Sequence, residues 1–152
     1  MTILYRILSL IINLTAMLIT ISVVFSIPVF VSSPVTLLSA FLMVAVILYA
    51  WYSSRFYREV LQQQKIAKHS LKDMVRVNGI VTLVFSAIIM LNVLLLLRNP
   101  GLFTDSLKNF GVDMPLKNVT AFFYAMFIYA AILLIHVVWT FRLLKKNNHH
   151  FQ

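Results

Sequence analysis

The sequence predicts an all-α membrane protein with four transmembrane helices in an antiparallel up-down bundle and both termini inside. Of its 152 residues, 61% are hydrophobic and 11% are charged, whereas soluble domains are about 45–50% apolar and about 25% charged. Four apolar stretches approach or exceed the ~20 residues that cross a bilayer. Lys and Arg collect on one side of these stretches, and no segment is polar enough for a second domain. We therefore expect one membrane domain over 1–152.

The first two spans form a predicted hairpin. Span one covers about 7–31 and span two about 35–52, and neither contains a charged residue. The turn lies at Ser32, Ser33 and Pro34, because Ser33 can cap the next helix and Pro34 suits its first position. The first apolar run is longer than the roughly 7–15 residues of a signal-peptide core. We therefore expect span one to be a retained helix.

Span two is expected to continue beyond the membrane. Tyr49, Trp51 and Tyr52 resemble an interfacial aromatic group, as found where helices leave the hydrocarbon. Residues 53–72 contain no Gly or Pro, and their apolar side chains recur at helical spacing. We predict a cytoplasmic helical extension to about residue 66. The residues predicted to contact anionic lipid head groups are Arg55, Arg58, Lys65, Lys68, Lys72 and Arg76.

Spans three and four are predicted at about 77–97 and 119–141. Ser70 and Asp73 have the spacing of a capping box at the start of the third helix. Asn99, Pro100 and Gly101 end that helix. The connection to span four is expected to form one or two interfacial turns over 104–110. The tail that carries His149 and His150 is expected to fray.

The distribution of basic residues predicts the orientation. One side of the four spans carries Arg6, Arg55, Arg58, Lys65, Lys68, Lys72, Arg76, Arg142, Lys145 and Lys146, and the other carries Arg98, Lys108 and Lys117. The positive-inside rule assigns the more basic side to the cytoplasm. The absence of cysteine and the short outer loops favour a bacterial inner membrane.

Composition excludes several function classes. Without cysteine there is no disulfide exchange, thiolate metal site or thiolate nucleophile. The net charge of +9 is explained by topology signals and lipid contacts, so nucleic acid is not an expected partner. No Asp, Glu, Lys or Arg lies within the four spans, which disfavours a proton-coupled carrier. We predict no catalytic residue, no metal and no cofactor.

His136 is the one titratable imidazole inside a span. Together with Tyr129 it is the candidate for a cofactor contact. On an ideal helical wheel His136 shares a side of span four with Ala121, Ala125, Tyr129 and Ile132. The favoured interpretation is a neutral histidine that bonds to a neighbouring helix. The alternative is a redox or quinone contact.

Two polar stripes are predicted to lie at helix interfaces. Span three carries Asn78, Thr82, Ser86 and Asn92, and span one carries Ser9, Asn13 and Thr20. Because an amide in hydrocarbon needs a partner, we expect the two stripes to meet and hydrogen-bond to each other. The alternative is a narrow polar path for a small solute.

Three functions remain open at this stage. The first is a non-enzymatic accessory, assembly or regulatory subunit of a membrane complex, acting through helix-helix contacts with other subunits or with itself. The second is a membrane-embedded redox or lipid-handling factor in which Asn92, Tyr129 and His136 line a cavity. The third is a facilitative channel or carrier formed by oligomerisation, with the polar stripes facing a shared pore.

Overall fold

The computed structural model describes residues 2–30, 34–99, 101, 103 and 115–152, and this part of the chain is helical. Four of its helices are long and apolar enough to cross a membrane, and they pack against each other. The α-helices are α1 (Thr2–Phe25), α2 (Ile27–Phe30), α3 (Pro34–Phe56), α4 (His69–Arg98) and α5 (Leu116–Lys146). A π-helical segment (Tyr57–Gln62) follows α3, and a 3-10 turn (Asn148–His150) follows α5. Two predicted features, the turn at 32–33 and the interfacial turns over 104–110, lie outside the described residues.

The first span is interrupted at Ser26, where the sequence predicts one continuous helix. Pro28 has no N–H to donate to the carbonyl of the preceding turn, and its ring crowds that turn. The chain responds by ending α1 at Phe25 and restarting as α2. Ser26 bridges the break, since its N–H donates to the Ser22 carbonyl at 3.0 Å and its carbonyl accepts from the Phe30 N–H at 3.0 Å.

The predicted extension of the second span is present but ends earlier than expected. After α3 the chain makes a π-helical segment and leaves helical geometry after Gln62 rather than at about residue 66. Gln64 has a φ of 49°, a left-handed conformation that costs energy for a residue with a side chain. This turn redirects the chain toward α4, so the helical extension ends at Gln62.

The start of α4 corrects the capping-box prediction. The helix begins at His69, and its N-cap residue Lys68 makes no side-chain capping bond. Asp73 instead lies one turn inside the helix, where its Oδ2 is 3.0 Å from Nδ1 of His69. Ser70 and Asp73 are therefore both helical, and they do not form the expected box.

The helices pack in a ring in which each lies beside two others. Helix α3 packs against α1 and α4, and helix α5 packs against α4 and, more lightly, against α1. Buried positions on α5 follow at steps of four, seven, three, four, three and four residues, with His136 buried beside them: Val119, Phe123, Ala130, Leu133, Val137, Thr140 and Leu144. This period of 3.5 is the pattern of left-handed helix packing.

The C-terminal tail is docked, which corrects the expectation that it frays. A parallel bridge joins Ala67 to Phe151, with the Ala67 N–H donating to the His150 carbonyl at 2.8 Å. The side chain of Phe151 is buried in a cluster with Phe56. We use the term basic end for residues 2–9, 53–76 and 140–152, which these contacts and a Tyr5–Thr140 hydrogen bond bring together.

Candidate functional site

A buried hydrogen-bond network connects α1, α3 and α5 next to the basic end. Tyr49 Oη lies 2.8 Å from Nδ1 of His136 and 3.0 Å from Oγ1 of Thr140. Oη of Tyr5 lies 2.9 Å from the same Thr140 hydroxyl. The Thr140 hydroxyl donates to the His136 carbonyl one turn earlier, at 2.8 Å. All these side chains are at most 1% exposed.

Counting protons assigns the tautomer of His136. Thr140 has one hydroxyl proton, which goes to the His136 carbonyl, so Tyr5 and Tyr49 must both donate to its lone pairs. Tyr49 has then used its own proton and accepts one from Nδ1 of His136. All four bonds are made together only when His136 has a proton on Nδ1. In the neutral imidazole with that proton, Nε2 carries a bare lone pair.

The Nε2 atom of His136 is buried and has no hydrogen-bond partner among the described residues. The Tyr5 ring stacks on the imidazole with centroids 4.7 Å apart and planes 19° apart, and Tyr49 meets it edge-on at 5.8 Å. Tyr5 therefore covers one face of the imidazole, and Nε2 itself is buried. Leaving such an acceptor unpaired costs about 1–3 kcal/mol.

Two other buried hydroxyls also lack partners within the described part of the chain. One is Oγ1 of Thr82 on α4 and the other is Oη of Tyr129 on α5. Tyr129 is oriented toward Thr15 of α1, whose hydroxyl donates to its own helix at Ile11. The two predicted cofactor contacts, His136 and Tyr129, therefore share no hydrogen-bond partner among the described residues.

The two polar stripes do not bond to each other, which makes that prediction wrong for the described residues. Asn13 donates to Oγ of Ser54 on α3 at 2.5 Å. Thr20, Asn78 and Ser86 donate to carbonyls of their own helices. The reason is the packing order, because α1 lies beside α3 and α5 and not closely beside α4.

The stripes also differ in exposure. Asn78, Thr82 and Ser86 are buried inside the bundle. Thr20 and Asn92 lie on exposed surfaces of their helices.

Ala121 and Ala125, which were predicted to share a side of α5 with His136, are exposed although His136 is buried. With a period of 3.5 rather than 3.6 residues, Ala121 lies about 100° away from His136 around α5, which the ideal wheel does not show.

Most of the basic residues predicted to contact lipid head groups are exposed: Arg55, Arg58, Lys65, Lys68 and Arg76. Lys72 is the exception, because it is buried and its Nζ donates to Oδ1 of Asn148 at 2.6 Å. Its ammonium group fastens the C-terminal tail and is not free for a lipid. Arg55 pairs with Glu59 at 2.7 Å, as the i, i+4 spacing predicts.

Sequence reasoning identified His136 but missed the residues that hold it. Tyr49 was assigned to the membrane interface, whereas it is completely buried. Tyr5 and Thr140 carried no assignment. The four-residue spacing of His136 and Thr140 was the available signal, because that spacing places two polar side chains on one helix face.

These features define a class: a multi-pass helical protein whose four long apolar helices suit a bilayer and enclose a small polar core. Comparison of the chain with family models, curated protein sequences and solved structures gave no significant match.

Proposed function

We propose that this protein is a non-enzymatic subunit of a membrane complex that acts through helix-helix contacts, as an accessory, assembly or regulatory component. The observation that carries the proposal is the position of Asn92, which lies on the exposed face of α4. Its amide has no hydrogen-bond partner among the described residues. A second membrane helix is the natural source of that partner.

The surroundings of Asn92 support a helix contact rather than a water-facing surface. Exposed apolar side chains flank it one position before and three positions after, at Leu91 (63% exposed) and Leu95 (62% exposed). Hydrocarbon offers an amide no hydrogen bond, so an unpaired Asn at this depth is costly. An amide on a facing helix relieves that cost, with about 0.6–2 kcal/mol per contact.

The proposed orientation is an up-down bundle with both termini and the α3–α4 connection in the cytoplasm. The contacts that join Tyr5 to Thr140 and Phe56 to Phe151 are consistent with it, and so is the concentration of Lys and Arg at the basic end. The absence of cysteine and the short outer loops support the inner membrane of a bacterium as the proposed site of residence.

Cross-linking in the membrane tests the subunit proposal. The chain has no cysteine, so Leu95→Cys provides one reactive thiol beside Asn92. We expect a cross-linked product with a second chain, either a copy or another subunit, and its loss on adding Asn92→Leu. Asn118→Leu, the same change at another exposed residue, is the matched control and should leave the product unchanged. Equal yields of the cross-linked product from Leu95→Cys alone and from Leu95→Cys combined with Asn92→Leu would refute the proposal.

A second candidate function, a redox or lipid-handling role for His136, draws on the bare lone pair of Nε2. Binding there requires the surrounding side chains to move, because Nε2 is buried. Absorption spectroscopy of protein purified in mild detergent tests this role. A haem band that His136→Ala removes would favour it over the subunit proposal.

The pore alternative has less support. Thr82 and Ser86 are completely buried within one chain, so they line a pore between copies only if the bundle opens. Solute flux into proteoliposomes that Asn78→Leu and Asn92→Leu leave unchanged would eliminate this alternative.

A further inference from the structure

A groove between α1 and α3 at the basic end has two chemically different halves. One half, of about 380 Å³, is lined by Trp51 and by the charged residues Arg55, Arg58 and Glu59. The other, of about 440 Å³, is lined by Arg6, Leu10, Leu14 and Met17. Asn13 and Ser54 line both halves. We call the whole surface the α1–α3 groove.

The groove has a surplus of positive charge, with Arg58 in one half and Arg6 in the other. Glu59 pairs with Arg55. Arg6 and Arg58 are exposed, and neither has a carboxylate partner in the described part of the chain. Planar guanidinium groups with free donors match the geometry of a phosphate, which they can bind with two parallel hydrogen bonds.

The apolar half leads away from these charges along α1. Leu10, Leu14 and Met17 are 63%, 60% and 69% exposed and follow one another at spacings of four and three residues. At 1.5 Å per residue they form a strip about 10 Å long on one helix face. An apolar strip of this kind beside unpaired cations can bind the acyl chain of a lipid whose head group is anionic.

Polar groups lie where the two halves meet. Asn13 donates to Oγ of Ser54 at 2.5 Å, which leaves the Ser54 hydroxyl proton free, since no acceptor for it lies among the described residues. That proton can be donated to a phosphate or ester oxygen. The groove therefore offers cations, a hydroxyl donor and an apolar strip, which are complementary to the groups of an anionic phospholipid.

We propose that the α1–α3 groove binds one anionic phospholipid, with its phosphate between Arg6 and Arg58 and an acyl chain along Leu10, Leu14 and Met17. A phospholipid is favoured over a soluble anion because the apolar strip continues directly from the cations. The proposal rests on the chain's residence in a membrane and is independent of the contact at Asn92.

Lipid retention tests the two arginines. The full chain is placed in phosphatidylcholine nanodiscs with phosphatidylglycerol as the minor lipid, released into mild detergent, and weighed by native mass spectrometry. We expect one retained phosphatidylglycerol, with its preference over phosphatidylcholine falling about fivefold for each of Arg6→Gln and Arg58→Gln. The control is Arg142→Gln, at an exposed arginine on α5 outside the groove, which should have no effect.

A second pair of variants tests the apolar half. Leu14→Trp fills the strip, whereas Leu18→Trp places the same side chain at an exposed position that does not line the groove. We expect only Leu14→Trp to reduce retention. An equal loss of retention with Arg142→Gln, equal effects of the two tryptophans, or complete competition by inorganic phosphate would each overturn the proposal. Asn92→Leu should retain the lipid, which separates this site from the subunit contact.

Discussion

Phe151 stacks on Phe56, with ring centroids 6.1 Å apart and planes 19° apart, so the C-terminal tail is fastened to the end of α3. Two further bonds complete the attachment, since the His69 N–H donates to the Gln152 carbonyl at 2.9 Å and the Gln152 N–H donates to the Ala67 carbonyl at 3.1 Å. The tail thereby links the α3–α4 connection to α5, and its removal should loosen the whole basic end.

Phe151→Ala should destabilise the protein by about 2–4 kcal/mol, because it deletes a buried aromatic ring from a packed cluster. Unfolding by a titration of sodium dodecyl sulfate in mixed micelles measures the change. Hydrogen exchange at the Ala67 amide, which the tail protects, should accelerate. The control is His149→Ala at an exposed position, and equal stabilities of the two variants would contradict the docked tail.

Tyr49→Phe should cost about 1–3 kcal/mol, because it leaves Nδ1 of His136 without a partner in a buried site. Tyr129→Phe removes a buried hydroxyl that is unpartnered among the described residues and should not destabilise the protein, because it removes the cost of an unpaired group. The same detergent titration compares them. A larger loss for Tyr129→Phe than for Tyr49→Phe would show that the network is assigned incorrectly.

Gly79→Ala should destabilise the contact of α4 with α5. A methyl group at Gly79 would lie 2.7 Å from Cε1 of Phe141, closer than van der Waals contact permits, and overpacking of this kind costs about 1–3 kcal/mol. Phe141→Leu in the same chain should recover part of the loss by making room. If the double variant is no more stable than Gly79→Ala alone, the clash is not the cause.

Single cysteines test the proposed orientation. Lys65→Cys and Lys146→Cys, both exposed at the basic end, should react with a membrane-impermeant maleimide only after the cells are opened. Lys117→Cys, at the start of α5, should react in intact cells. Labelling of all three from the same side would show that a span has been miscounted.

The sequence predicted the number of long helices because hydrocarbon imposes a length and an apolar composition on any helix that crosses it. It also predicted the start of α3 at Pro34, since Pro suits a first helical turn and not a helix interior. The Arg55–Glu59 pair was predictable for the same reason, because the i, i+4 spacing alone brings the two side chains together.

Tertiary structure decided which side of each helix faces another helix. Lipid and protein interior are equally apolar, so composition does not distinguish the buried Tyr49 from an interfacial tyrosine, or the buried Lys72 from a lipid-facing lysine. The partners of Asn13 and His136 depend on which helices are neighbours and on the 3.5-residue period of packing. These are properties of the assembled bundle, because each partner comes from a helix distant in sequence.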